Sequence, residues 1–265
     1  LASDLQFTLP GLQEVVPLDG DEVVVVRTRS SSTADDPDDA DAPPPGVRRV
    51  SIERYGLRPG ADPGIEPAPR SRRVDETDVA AADGRVIAAA AADASGRGAW
   101  LLDIGRRELV HVGATAGATD TLTTTALPVD PPAAGYRDLT ALPDGRVGLL
   151  HPEARRLAVV DGQGRLVASV ALDVTAAPRR VAALSDGRLA VLTLDDAVAV
   201  LRADGRRDAR VSLPADTGAG EPATDLAAAP DGRIIVAHRA GRTIVRIGPR
   251  PRSIPLYLPV ASNGP

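Results

Sequence analysis

Three histidines, His111, His151 and His238, are the side chains of this 265-residue chain that ordinarily titrate near neutral pH, and there is no cysteine. Two share a register: His151 stands six residues after Gly145, and His238 six after Gly232. Each would end the second strand of a hairpin on one rim, where a two-histidine metal or acid–base site could form. The competing reading is a pair of rim residues in non-adjacent repeats, too far apart to share an ion. Acidic residues make a second set. Glu14, Asp78, Asp138 and Asp225 each open an expected inner strand, and carboxylates ringed there would suit a divalent cation. The competing reading is that they cap turns through Asx-type hydrogen bonds. Arg180 holds the corresponding place in one copy and breaks the ring.

Other chemistry is scarce. Asp35, Asp36, Asp38, Asp39 and Asp41 superficially resemble a calcium loop, but the glycine and terminal glutamate of an EF-hand are missing. The stretch 30–46, acidic and then proline-rich, reads as a disordered loop. No Gly-x-Ser-x-Gly elbow, phosphate loop or dinucleotide fingerprint is present. Net charge is −5 and aromatics are 2% of residues, which argues against nucleic acid as partner. No apolar run reaches the ~18 residues of a membrane helix. Opening at Leu1, the chain reads as a piece of a longer polypeptide.

The elements that must position these residues are marked by one repeated phrase. Asp83-Gly84-Arg85-Val86, Asp144-Gly145-Arg146-Val147, Asp186-Gly187-Arg188-Leu189 and Asp231-Gly232-Arg233-Ile234 each lie between short apolar runs. The aspartates are 61, 42 and 45 residues apart. A period in the low forties with strand-like flanks marks a propeller blade. Asp-Gly between apolar runs predicts a type I′ hairpin, because glycine supplies the positive φ. Inner strands are expected from Val79, Asp138, Val181 and Asp225, with a more worn first copy turning at Asp19-Gly20. Ala94-Ser95-Gly96-Arg97 looks inserted, and Ala114 to Gly135 is expected as a long loop that explains the 61-residue step. The strand Leu5 to Pro10 is left over. The alanine run from Ala88 to Ala92 favours helix locally, but the repeat register predicts a strand. The arginines of the repeated phrase are expected to pair with its aspartates.

Leu142-Pro143-Asp144-Gly145-Arg146 and its copies resemble the NHL-, YVTN- and SMP-30-type propeller families, whose blades carry this turn after a short inner strand. The composition is also similar to extracytoplasmic propellers of actinobacterial surface proteins. The SMP-30 resemblance implies a divalent ion held by glutamate, aspartate and asparagines. That set cannot be assembled here, because the single asparagine is Asn263. The Trp-Asp of WD40 repeats is also absent, since Trp100 precedes leucine.

The expectation is a single all-β domain over 1–265, a β-propeller of five blades of four antiparallel strands, with six blades the alternative. Its function is expected to be non-enzymatic binding of a protein or glycan, as part of a larger exported or envelope protein. The binding residues expected at the loop face and channel mouth are His151, His238, Asp78, Asp138, Asp225 and Arg180. The alternatives are a lactonase- or hydrolase-like enzyme with a channel cation, and a structural spacer. No cofactor is expected beyond that possible cation.

Overall fold

The structure, a computed structural model, describes residues 12–18, 22–30, 47–56, 70–80, 85–114, 120–128, 135–213, 223–229, 231–238, 243–248 and 256–259. These form twenty strands in five four-stranded antiparallel sheets. The chain divides into two compact units, Leu1–Thr125 and Ala126–Pro265.

The first unit holds two sheets. One runs β1 (Leu12–Leu18), β2 (Glu22–Ser30), β3 (Val47–Gly56), β4 (Arg70–Ala80). The other runs β5 (Ile87–Ala92), β6 (Ala99–Asp103), β7 (Glu108–Ala114), β8 (Asp120–Ala126). The second unit holds three. The first is β9 (Asp138–Ala141), β10 (Val147–His151), β11 (Arg156–Val160), β12 (Leu166–Ala171). Next come β13 (Pro178–Ala183), β14 (Leu189–Thr193), β15 (Ala197–Leu201), β16 (Arg207–Ser212). Last are β17 (Asp225–Ala228), β18 (Ile234–His238), β19 (Thr243–Ile247), β20 (Leu256–Pro259). A four-stranded antiparallel meander repeated in this way is the blade of a propeller.

Burial explains the pattern of residues. The middle strands β6, β10, β14 and β15 are buried at every position, because both faces of a blade are covered. Hence they read as unbroken apolar runs. The outer strands β12 and β16 are largely exposed, with only alternate residues partly covered. Leu150, Leu157, Val191 and Leu201 fill the seam between the first two blades of the second unit, and Leu192, Val198, Ile234 and Val236 fill the next. Each fully buried leucine contributes about 2–3 kcal/mol, so small aliphatic side chains in number replace aromatics.

The glycine turns are built differently from the expected type I′ form. Gly145, Gly187 and Gly232 take φ of 83°, 83° and 78°, but the aspartates before them do not have positive φ. Each glycine N–H instead closes onto the carbonyl three residues back, as Gly145 does to Leu142 at 2.9 Å. The aspartate then accepts the N–H of the arginine two residues on, at 3.1 Å in all three copies. Arg146, Arg188 and Arg233 also pair with these aspartates, as expected.

The Asp83 copy is the exception. β4 continues in register with β3 as far as Ala80 and β5 opens the next sheet at Ile87, so the strands on either side of Asp83-Gly84 belong to different sheets; the two residues themselves lie outside the described set. Val79 and Asp78 therefore close an outer strand and do not open an inner one. The inner hairpin of the second blade is the segment that looked inserted: Gly96 has φ of 68°, and its N–H reaches the Asp93 carbonyl at 3.0 Å. Arg85 finds a different partner, the buried Asp103, at 3.2 Å.

One further difference follows. Strand β8 lies inside the range expected as a loop; none of its side chains from Thr121 to Ala126 is buried, so Thr121 to Thr125 gave no apolar strand signal. The fifth blade takes its fourth strand from β20. The alanine run is strand β5, as expected. The leftover segment Leu5 to Pro10 and the acidic loop beyond Ser30 lie outside the described residues. Among the described residues, no helix is long and apolar enough to cross a membrane.

Candidate functional site

The inner strands of the second unit bring three expected residues together. Asp138 opens β9, Arg180 lies in β13 and Asp225 opens β17. Pairing of Leu150 with Asp138 sets the height of β9 in its blade. Asp138 is buried, and its Oδ2 accepts the Val181 N–H of the next blade at 2.7 Å. Two residues on, Thr140 Oγ1 accepts the Ala183 N–H at 2.9 Å. A residue step of two keeps both side chains on one face, so this face stitches β9 to β13. Asp225 is exposed and accepts the N–H of Leu226 at 2.8 Å, a local strand-start bond.

Arg180 lies between the two carboxylates. Its guanidinium is 3.9 Å from Asp138 Oδ1 and 3.5 Å from Asp225 Oδ1. Burial pushes the Asp138 carboxyl up to about 7, against the opposing pull of Arg180 and the Val181 N–H. The site therefore combines a proton-holding buried acid, a partly exposed arginine and an exposed carboxylate. Among the described residues no three His, Asp or Glu side chains are grouped to hold a metal ion. The Arg180 guanidinium is itself the cation shared by the two carboxylates.

The remaining expected residues are placed elsewhere. Asp78 pairs with Arg49 in the outer strand β4, and its side chain lies outside the described set, as does that of Glu14 in β1. His151 and His238 end β10 and β18, the second strands of non-adjacent blades. The side chain of His238 is not among those described. His151 is buried; its Nδ1 accepts the Ala154 N–H at 3.2 Å, which places the neutral ring's proton on Nε2. Its ring meets Tyr136 edge-on with centroids 5.7 Å apart.

Residue patterns did not mark a second polar cluster, in the second blade. His111 stacks on Trp100 with centroids 4.2 Å apart and bonds Asp93 Oδ2 through Nε2 at 3.0 Å. Asp93 Oδ1 accepts from Ser95 Oγ at 2.6 Å and from Ser95 N at 3.0 Å. Burial raises the Asp93 carboxyl, but the Ser95 and His111 hydrogen bonds outweigh it and hold the group below its ordinary value. The available signal was the Asp-x-Ser-Gly turn, which the blade register masked. A cleft of about 160 Å³ between the last two blades is lined by Leu184, Val200, Val211, Ile234 and Ile247. Its rim pair, Arg188 and Asp208, is 3.1 Å apart and mutually neutral.

No protein-family description matches the chain, and no curated protein resembles it in sequence. Solved structures do. A streptogramin B lyase is 12% identical, with a TM-score of 0.61 over 97% of this chain and 72% of that one. A catalytically inactive virginiamycin B lyase from Staphylococcus aureus with quinupristin is 12% identical, with a TM-score of 0.59 over 97% and 73%. A protein from Bacteroides uniformis described as a 6-phosphogluconolactonase is 15% identical, with a TM-score of 0.55 over 93% and 71%. At these identities the likeness is one of fold: the chain is an all-β protein with the blades of a β-propeller.

Proposed function

We propose that this chain is a non-enzymatic binding propeller, the exported or envelope-facing part of a larger protein, which engages a protein or glycan. The observation that carries this reading is the Asp138–Arg180–Asp225 row. The carboxylates that would hold a catalytic ion share an arginine, and Asp138 and Thr140 spend acceptors on the backbone of β13. Asp138 and Thr140 thus serve blade packing, and Arg180 and Asp225 are the members of this cluster that reach solvent. The blade phrase itself fits the NHL and YVTN types, in which it marks architecture and not an activity. A surface location rests on composition alone.

One observation favours a second reading, a lactonase- or hydrolase-like enzyme: a buried acid that exchanges its proton near neutral pH is suited to general acid–base work. Its relatives in fold include a lyase and a protein described as a lactonase. Metal analysis of purified protein separates the two. The binding reading expects no stoichiometric divalent ion, no lactone hydrolysis, and capture of a partner from native envelope extract that Arg180→Gln weakens. A stoichiometric ion lost on Asp138→Asn or Asp225→Asn would overturn it.

A further inference from the structure

We propose that Arg180 is an anchor for an oxyanion, carboxylate or phosphate, and that the proton on Asp138 sets its availability. This rests on the reading of the inner-strand ends as the binding surface and names the ligand chemistry and its control. The guanidinium lies 3.9 Å from one carboxylate and 3.5 Å from the other, both longer than a hydrogen bond. It is held firmly by neither. Asp138 cannot follow the arginine, because its Oδ2 is pinned to the Val181 N–H at 2.7 Å. Only its charge can change.

The surrounding charges show what that change does. From the segment before β9, Arg137 donates to the Tyr136 carbonyl at 3.0 Å. From β13, Arg179 donates to the Ala223 carbonyl at 2.9 Å. Asp196, in the turn after β14, accepts the Ala223 N–H at 2.9 Å. On the neighbouring strand β10 the residue opposite Asp138 is Leu150, which is apolar. Among the described residues, Asp138 and Asp225 are the carboxylates within 4 Å of the Arg180 guanidinium, so with Asp138 ionised two negative charges face one positive charge. With Asp138 neutral, Asp225 alone faces the guanidinium, the local charge is one unit more positive, and Arg180 is freer to turn toward solvent. The proton exchanges near neutrality, since burial raises the Asp138 carboxyl to about 7. One unit of charge a few ångströms away at a half-solvated site changes anion affinity about tenfold.

Sulfate is the probe, because its charge is constant from mildly acid to mildly alkaline solution. Nitrogen-15 spectra of the whole chain are recorded with sulfate at about pH 5.5 and about pH 8.5, following the Arg180 side chain and the Val181 amide. The expected result is saturable binding at the lower pH and about tenfold weaker binding at the higher. Asp138→Asn should keep the tight affinity at both values, and Arg180→Gln should lose it at both. Equal affinity at the two pH values in the wild type, or the same alkaline loss in Asp138→Asn, overturns the control. No shift at Arg180 at either pH overturns the anchor. Should Asp138→Asn fail to fold, the carbon-13 titration of the Asp138 carboxyl in the wild type decides: a midpoint near neutral supports the proposal and one below about 5 refutes it. None of these measurements depends on capturing a partner, so failure of the binding reading is seen separately.

Discussion

A methyl group added at residue 135 would fall inside the imidazole of His151. An ideal Cβ there lies 1.8 Å from Nε2, 2.4 Å from Cε1 and 2.6 Å from Cδ2. In Gly135→Ala, either the backbone shifts or the buried ring leaves its slot. Leaving breaks the Ala154 N–H···Nδ1 hydrogen bond at 3.2 Å, worth about 1 kcal/mol. It also removes the edge-on contact with Tyr136 at 5.7 Å, worth about 0.5–1.5 kcal/mol. Strain in the overpacked seam adds about 1–3 kcal/mol. The expected loss is therefore about 4 kcal/mol, a large share of the roughly 5–15 kcal/mol that holds a typical domain. Urea unfolding followed by circular dichroism measures it, provided the slope of the transition stays constant. The same substitution made on His151→Ala should cost less than about 1 kcal/mol, since the offending ring is gone. The double-mutant cycle then shows strong coupling. A Gly135→Ala protein as stable as the wild type, or an equal cost in both backgrounds, refutes the packing and reopens His151 as a ligand.

Two more substitutions probe the blades. Arg155 holds φ of 50° before β11, a left-handed conformation that costs a side-chain-bearing residue about 1–2 kcal/mol. Arg155→Gly should raise stability by about 0.5–1 kcal/mol in urea, the entropy of glycine offsetting part of the relief; a destabilised variant would contradict the backbone geometry. Asp93→Ala should cost about 2 kcal/mol, because Ser95 and His111 lose their common acceptor, and should change the emission of Trp100, the one tryptophan. Because hydrogen bonds depress the Asp93 carboxyl, its stabilisation is present above the ordinary aspartate range and is lost as pH falls through the lower folded value. The variant should accordingly lose less stability than the wild type on acidification below about pH 4, and parallel acid profiles would rule this out.

Much of the fold was legible because hairpins are local. Asp144-Gly145, Asp186-Gly187 and Asp231-Gly232 each lie within a few residues of the strands they join, and glycine is required where φ turns positive. The Asp83 copy misled because the same four letters also fit a connection between blades; only the pairing of β3 with β4, which carries the strand to Ala80, distinguishes the two. The threonine-rich β8 was invisible for a related reason: apolar periodicity reports burial, and an outer strand has little.

Residue order alone determined the all-β blade architecture and its near-constant spacing, since both follow from composition and short-range conformational preference. Tertiary structure decided which aspartate matters. Asp138 and Asp225 look equivalent along the chain, yet Asp138 is buried against the backbone of a strand 43 residues away, where burial pushes its carboxyl up to about 7, while Asp225 is exposed. The charge state of an acid is governed by how much water its neighbours remove and which donors they supply, and those neighbours come from distant parts of the chain.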